Sequence, residues 1–148
     1  MTEELENKLF EKYPKIFAGK DKPITQNLMG FGFECSDGWY WLIDRLCSSL
    51  QFRIDNPPWN KDGKVEVPQV VATQVKEKFG GLRFYVESAT PEQHAVISFT
   101  EALSYYTCEL CGSTKDIGHT QGWITTMCKE CYENHPKKDN FKWKLNND

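Results

Sequence analysis

Cys108-Glu-Leu-Cys111 and Cys128-Lys-Glu-Cys131, sixteen residues apart, constrain this chain more than any other feature. A C-x2-C pair puts two sulfurs on one tight turn, and the segment between two such pairs must fold back to bring the turns together. Four soft ligands at tetrahedral corners are what zinc takes in structural sites. Gly112, directly after the first pair, suits the sharp backbone such a turn needs. The pattern predicts one structural zinc held by Cys108, Cys111, Cys128 and Cys131. Four thiolates complete the coordination shell and leave no position for a catalytic water. His119 and His135 are then surface or supporting residues, and Cys35 and Cys47 are small buried side chains. A disulfide scaffold is the weaker reading, because the charged start Met1-Thr-Glu-Glu-Leu5 lacks the apolar run of a secretory signal.

The rest of the chain reads as an α+β body. Thr2 to Tyr13 predicts a short helix with Leu5, Leu9 and Tyr13 on one face, ended by Pro14. Asp37 to about Phe52 predicts the clearest helix, with Ser36 or Asp37 as cap. Trp39, Leu42, Ile43, Leu46, Cys47 and Leu50 form its apolar stripe, with Trp41, Asp44, Arg45 and Ser48 opposite. Asp55 to Gly63 reads as loop. Thr90-Pro91-Glu92-Gln93 is a capping box with proline at the first helical position. The helix it starts should reach Tyr105 or Tyr106, burying Val96, Phe99, Leu103 and Tyr106, and deliver the chain directly into Cys108.

Between these helices, Val65 to Phe79 is strand-like, with Pro68 marking an edge or interruption, and Leu82 to Val86 alternates. Gly80-Gly81 predicts a two-residue hairpin loop that pairs Phe79 with Leu82. That register sets Lys78 opposite Arg83 and Lys76 opposite Tyr85, and leaves Glu77 on the apolar side needing a partner. A row of cations beside a tyrosine ring is a candidate anion or partner site: Lys76, Lys78, Arg83 and Tyr85. Its plainer reading is a solvated face.

The expected organisation is a body over residues 1–106, a zinc module over 107–136 and a polar, mobile tail over 137–148. The module is of treble-clef or zinc-ribbon type. The formal charge of −3 argues against sequence-blind nucleic-acid binding, which relies on positive charge. No stretch approaches a membrane span. Phosphate loops, dinucleotide fingerprints, H-E-x-x-H and G-x-S-x-G are missing. Cys128-x-x-Cys131-x-x-Asn134-His135 is superficially similar to the last segment of HNH nucleases. Those enzymes place their catalytic histidines between the two cysteine pairs, and here that interval holds only His119. Glu34, Asp37 and Asp44 could converge as carboxylates but need no such role.

Three motifs carry a resemblance across residues 31 to 132: Gly32-Phe-Glu-Cys35-x-Asp37-Gly-Trp39-Tyr40-x-Leu42-Ile43, Val75-Lys-Glu-Lys-Phe79-Gly-Gly-Leu-Arg83-Phe-Tyr85, and Cys108-Glu-x-Cys111-Gly. Together they resemble a family of small phage- and prophage-encoded proteins. The resemblance brings no activity that could be carried over residue by residue. It implies a mobile-element accessory protein in a bacterial host cytoplasm, one that binds and blocks a host factor or defence component. The partner would be a protein or a nucleotide-like anion. A nucleic-acid-binding zinc module and, further off, a nuclease are the competing readings.

Overall fold

The stripe on the central helix decides the architecture, because six apolar side chains recurring at three- and four-residue spacing must be covered. In the computed structural model, which describes residues 1–146, all six of these residues, from Trp39 to Leu50, are buried. The elements run α1 (Glu3–Lys12), β1 (Phe33–Glu34), a 3-10 turn (Asp37–Trp39) leading into α2 (Tyr40–Asp55), β2 (Trp59–Asn60), β3 (Gly63–Lys64), β4 (Ala72–Lys78), β5 (Gly81–Val86), α3 (Pro91–Ser104), β6 (Ile117–Thr120), β7 (Thr126–Cys128), α4 (Lys129–Glu133) and β8 (Trp143–Leu145). This is an α+β fold. One sheet has the order β1-β4-β5, with β1 parallel to β4 and β4 antiparallel to β5. A second, antiparallel sheet has the order β7-β6-β8. Val75, Leu82 and Phe84 on the first sheet share the core with the α2 stripe, Leu9 of α1 and Ile97 of α3. No helix among the described residues is long and apolar enough to cross a membrane.

Several expectations need correcting. The strand expected from Val65 begins only at Ala72, because Pro68 lacks a donor and the chain before it runs irregularly. The expected loop over 55–63 holds part of a small hairpin, Trp59 pairing with Lys64 and Asn60 with Gly63. Neither Ser36 nor Asp37 caps the central helix through its side chain; Asp37 instead accepts the Thr2 amide at 2.7 Å. Asp44, expected on the outer face, is buried under α1, where it accepts the Tyr13 hydroxyl at 2.9 Å and the Lys12 ammonium at 2.6 Å. Burial opposes its ionisation, but Lys12, Arg45 and Tyr13 outweigh that and hold its carboxyl below the usual range. The stability it contributes is therefore present above the ordinary carboxylate pKa and is lost as pH falls through the lowered one. The segment after residue 136, expected as a mobile tail, supplies β8, which pairs with β6 from Gly118↔Leu145 to Thr120↔Trp143.

The start of α3 is as expected: Thr90 accepts the Gln93 amide and Gln93 returns to the Thr90 amide. Of its expected inner face, only Val96 packs against the core, half-buried, and Leu103 is exposed. Gln93, Ile97, Thr100 and Ser104 are buried, while Phe99 is 66 % and Tyr106 59 % exposed. The buried polar groups are all engaged: Gln93 donates to the Pro68 carbonyl, Thr100 to Val96, and Ser104 to Glu101 while accepting the Leu82 amide. A polar side chain with its hydrogen bonds complete can occupy a core position that apolar periodicity alone would not assign it. Ile97→Ala should therefore cost about 2–5 kcal/mol in chemical denaturation, and Phe99→Ala no more than about 0.5 kcal/mol. The reverse ranking would restore the apolar face first read from the sequence.

Candidate metal centre and the cleft beside it

Knuckle, hairpin and helix follow one another in treble-clef order. Cys108 and Cys111 sit on a turn closed by Gly112 N–H to the Cys108 carbonyl, and Cys108 N–H reaches Ser113, both at 2.8 Å. Hairpin β6–β7 returns the chain, Cys128 ends β7 and stands at the N-cap of α4, and Cys131 lies in that helix's first turn. The four sulfurs all lie within 4.8 Å of one another. A tetrahedral site with metal–sulfur bonds of about 2.3 Å has sulfur–sulfur edges of about 3.8 Å. Cys111 and Cys128 are already 3.7 Å apart. A backbone N–H also faces the sulfurs: that of Cys131 points to Cys128 Sγ at 3.4 Å. The set can hold one metal ion and fits a structural zinc. Cys35 and Cys47 stand apart from it, buried, with thiols that burial pushes up, to about 12 in Cys35.

The knuckle is built into the body. Gly38 N–H donates to the Glu109 carbonyl at 2.8 Å, and the Trp39 indole donates to the Thr107 carbonyl at 2.9 Å. Glu109 lies between the two cysteines of the first pair. Its Oε1 accepts both the amide and the hydroxyl of Ser36, at 3.1 and 3.2 Å. Burial raises its carboxyl above the usual range, against those two hydrogen bonds. The hairpin turn is pinned from the other side, where Thr126 donates to the Gly80 carbonyl at 2.6 Å. β8 completes the module: Trp143 donates to the Met127 carbonyl at 3.0 Å and stacks on Tyr132 at 5.7 Å.

The turn itself differs from expectation. Phe79 and Gly80 form the two-residue loop, both with positive φ (54° and 77°), and Lys78 pairs with Gly81. A left-handed Phe79 is invisible to propensity. Gly81 belongs to the strand, where a Cβ would meet the Tyr105 ring at 2.3 Å. The register is therefore shifted by two residues, which keeps every side chain on its expected face. Lys76, rather than Lys78, opposes Arg83, and Tyr85 opposes Gln74. Among the candidate partner-binding residues, Lys76 lies 5.8 Å from the Tyr85 ring centre and Lys78 5.6 Å from that of Phe79. The Arg83 guanidinium is already engaged by the Tyr105 hydroxyl at 2.9 Å and the Leu82 carbonyl at 2.7 Å. Glu34, the parallel neighbour of Lys76, further dilutes the positive charge. Glu34, Asp37 and Asp44 do not act together: Gln74, Thr2 and Tyr13 with Lys12 respectively take them up.

Glu77 finds the partner its position demanded, the Gly80 amide at 2.7 Å. With Glu109 it lines a cavity of about 320 Å³ between the turn and the metal module. Trp123, Leu110 and Phe141 also contribute to the wall. A second cavity, of about 400 Å³, shares Glu77 and Trp123 and adds Phe79 and Ile124. Sequence reasoning missed Glu109 and Trp123 because the cleft joins segments that are far apart in the chain. The misplaced charge at Glu77 was the one signal available. Comparison with protein-family models, curated proteins and solved structures finds no match for this chain.

Gly38→Ala tests the docking. An added Cβ would sit 2.3 Å from the Cys108 carbonyl, 2.5 Å from the Gly112 nitrogen and 2.6 Å from the Glu109 carbonyl, all backbone atoms that cannot swing aside. A loss of about 1–3 kcal/mol is expected in thermal or chemical unfolding. Gly30→Ala, whose methyl meets nothing closer than 3.4 Å, should stay close to wild type. Equal behaviour of the two variants would contradict the close approach.

Proposed function

We propose that this chain is a non-catalytic binding protein in which a single zinc ion is structural, and that its target is a protein of the bacterial host. The observation that carries the reading is the use of the four-cysteine knuckle as a wall of the body. Its backbone is committed to Gly38 and Trp39, and a complete thiolate set has no vacant position for substrate. Zinc in that role orders a surface. The surface it orders is rich in exposed rings, with Trp123 84 % and Phe79 69 % accessible beside the cleft, and such rings are characteristic contact residues at protein interfaces. Phage origin and an anti-defence role rest on the three-motif resemblance, and supply the expected setting.

A protein partner is favoured over a nucleotide-like anion because Arg83, the hairpin's guanidinium, is already engaged and an acidic residue neighbours Lys76 in the sheet. Arg83 is bonded to Tyr105 and Leu82, and Glu34 pairs alongside Lys76. Nucleic acid is disfavoured by the net charge of −3. For a nuclease, the interval between the cysteine pairs offers His119 alone, and its Nδ1 is hydrogen-bonded to Asn146 at 2.9 Å.

Purified protein should contain one zinc per chain by elemental analysis, and Cys131→Ser should lose metal and cooperative unfolding together. Zinc binding contributes on the order of 10 kcal/mol in small modules, more than a marginal domain can forgo. Affinity capture from bacterial lysate should recover a stoichiometric protein partner that survives nuclease treatment and raised salt, and plasmid DNA should stay intact with added divalent metal. Recovery of nucleic acid alone, or metal-dependent cleavage, would overturn the binding-protein reading.

A further inference from the structure

The cleft between the β4–β5 turn and the metal module has the chemistry of a receptor for one organic cation. Glu109 is 6 % exposed, and it lines the cavity together with Glu77. Each carboxylate commits Oε1 to protein groups: Glu109 to Ser36 N–H and hydroxyl, Glu77 to Gly80 N–H. Neither Oε2 takes a hydrogen bond, and neither residue forms a salt bridge, among the described residues. Two carboxylates lining one cavity without an ion pair repel each other, and each keeps an oxygen open to a further donor, since no buried side-chain oxygen is left unbonded among the described residues. None of the nearby cations forms an ion pair with either carboxylate among the described residues. The Met1 ammonium, which attracts Glu109, is held by the Phe33 and Cys35 carbonyls. Lys78, at the rim, lies near the Phe79 ring. His135, on the cavity wall, accepts the Lys137 amide through Nδ1.

The remaining wall selects the kind of cation. Trp123 is largely exposed, and Leu110 and Phe141 are partly so. An indole face attracts a guanidinium or ammonium directly, and the apolar side chains suit a methylene stem. A hard divalent ion is a poor fit, because calcium takes six to eight oxygens and two carboxylates beside rings fall short. We propose that this cleft binds the side chain of an arginine or lysine on the partner protein, the two free carboxylate oxygens taking its N–H groups and Trp123 covering its stem. The source of the cation rests on the protein-partner reading above; the cleft's preference for cations does not.

The probe is N-acetyl-arginine N-methylamide, titrated into the zinc-loaded protein while the Trp123 indole and the Ser36 and Gly80 amides are followed by NMR. Local shifts with a Kd on the order of 1 mM are expected, while the neutral norleucine analogue and calcium leave the signals in place. Glu77→Gln and Glu109→Gln keep the Oε1 acceptor for their present partners and replace only the free oxygen. Each should weaken binding about tenfold or more, as loss of a charged hydrogen bond does. Trp123→Ala, at an exposed site that the fold does not need, should do the same. Equal binding of norleucine, unchanged affinity in the glutamine variants, or no shift up to about 10 mM would overturn the site. Agmatine binding far more tightly than the capped residue would assign the cleft to a free small cation and overturn the protein-borne source. If arginine binds but lysate yields no protein, the cleft stands and the partner reading falls; if a partner is captured equally by wild type and both glutamine variants, the reverse holds.

Discussion

The contact between the cysteine knuckle and the first turn before α2 is the constraint on which the rest depends. Gly38 lets two backbones meet, and Trp39 then sends its ring into the core while its indole nitrogen holds the Thr107 carbonyl. One residue thus belongs both to the hydrophobic centre and to the seat of the metal module. A buried indole without an acceptor would be costly, so the knuckle backbone must stay where Trp39 needs it. Four cysteines on two turns can hold it there when a metal joins them, since a metal–thiolate set fixes the distance between segments that no helix or sheet connects.

The consequences spread outward from that seat. With the knuckle fixed, Thr126 on β7 reaches the Gly80 carbonyl and clamps the β4–β5 turn. The clamp helps to explain why the chain accepts a left-handed Phe79, a conformation that costs a bulky residue energy unless its surroundings over-determine it. It also brings Glu77 and Glu109 to one cavity, although they come from a strand of the body and a loop of the module. β8 closes the arrangement by packing Trp143 on Tyr132 in the helix that carries Cys131.

Legibility in the sequence tracked how local each feature is. The cysteine pairs, the α2 stripe and the capping box at Thr90 are short-range patterns, and in the fold the four sulfurs converge, the stripe is buried and the box forms. The hairpin's faces were legible because alternation survives a two-residue slip, whereas its register was not, because Gly81 packs under Tyr105, more than twenty residues further along the chain. The inner face of α3 was hidden because Gln93 reaches the Pro68 carbonyl and Ser104 receives the Leu82 amide, groups that only the fold brings near, while Thr100 bonds back to Val96 within the helix. β8 looked like a tail because a strand of three residues signals little without its neighbour β6. Glu109 is the extreme case: inside a C-x2-C pair it reads as filler, and its role depends on Ser36 and Glu77, each more than thirty residues away.

Amide hydrogen exchange, measured with and without a zinc chelator, tests the shared seat most directly. The two reporters are the Gly38 amide and the Trp39 indole N–H, whose acceptors both lie on the knuckle segment. If metal, knuckle and the entry to α2 form one unit, both hydrogens should be protected in the metal-bound protein and lose that protection together when the metal is withdrawn. Protection at both that persists after complete removal of the metal would contradict this account, because the body would then hold the knuckle unaided.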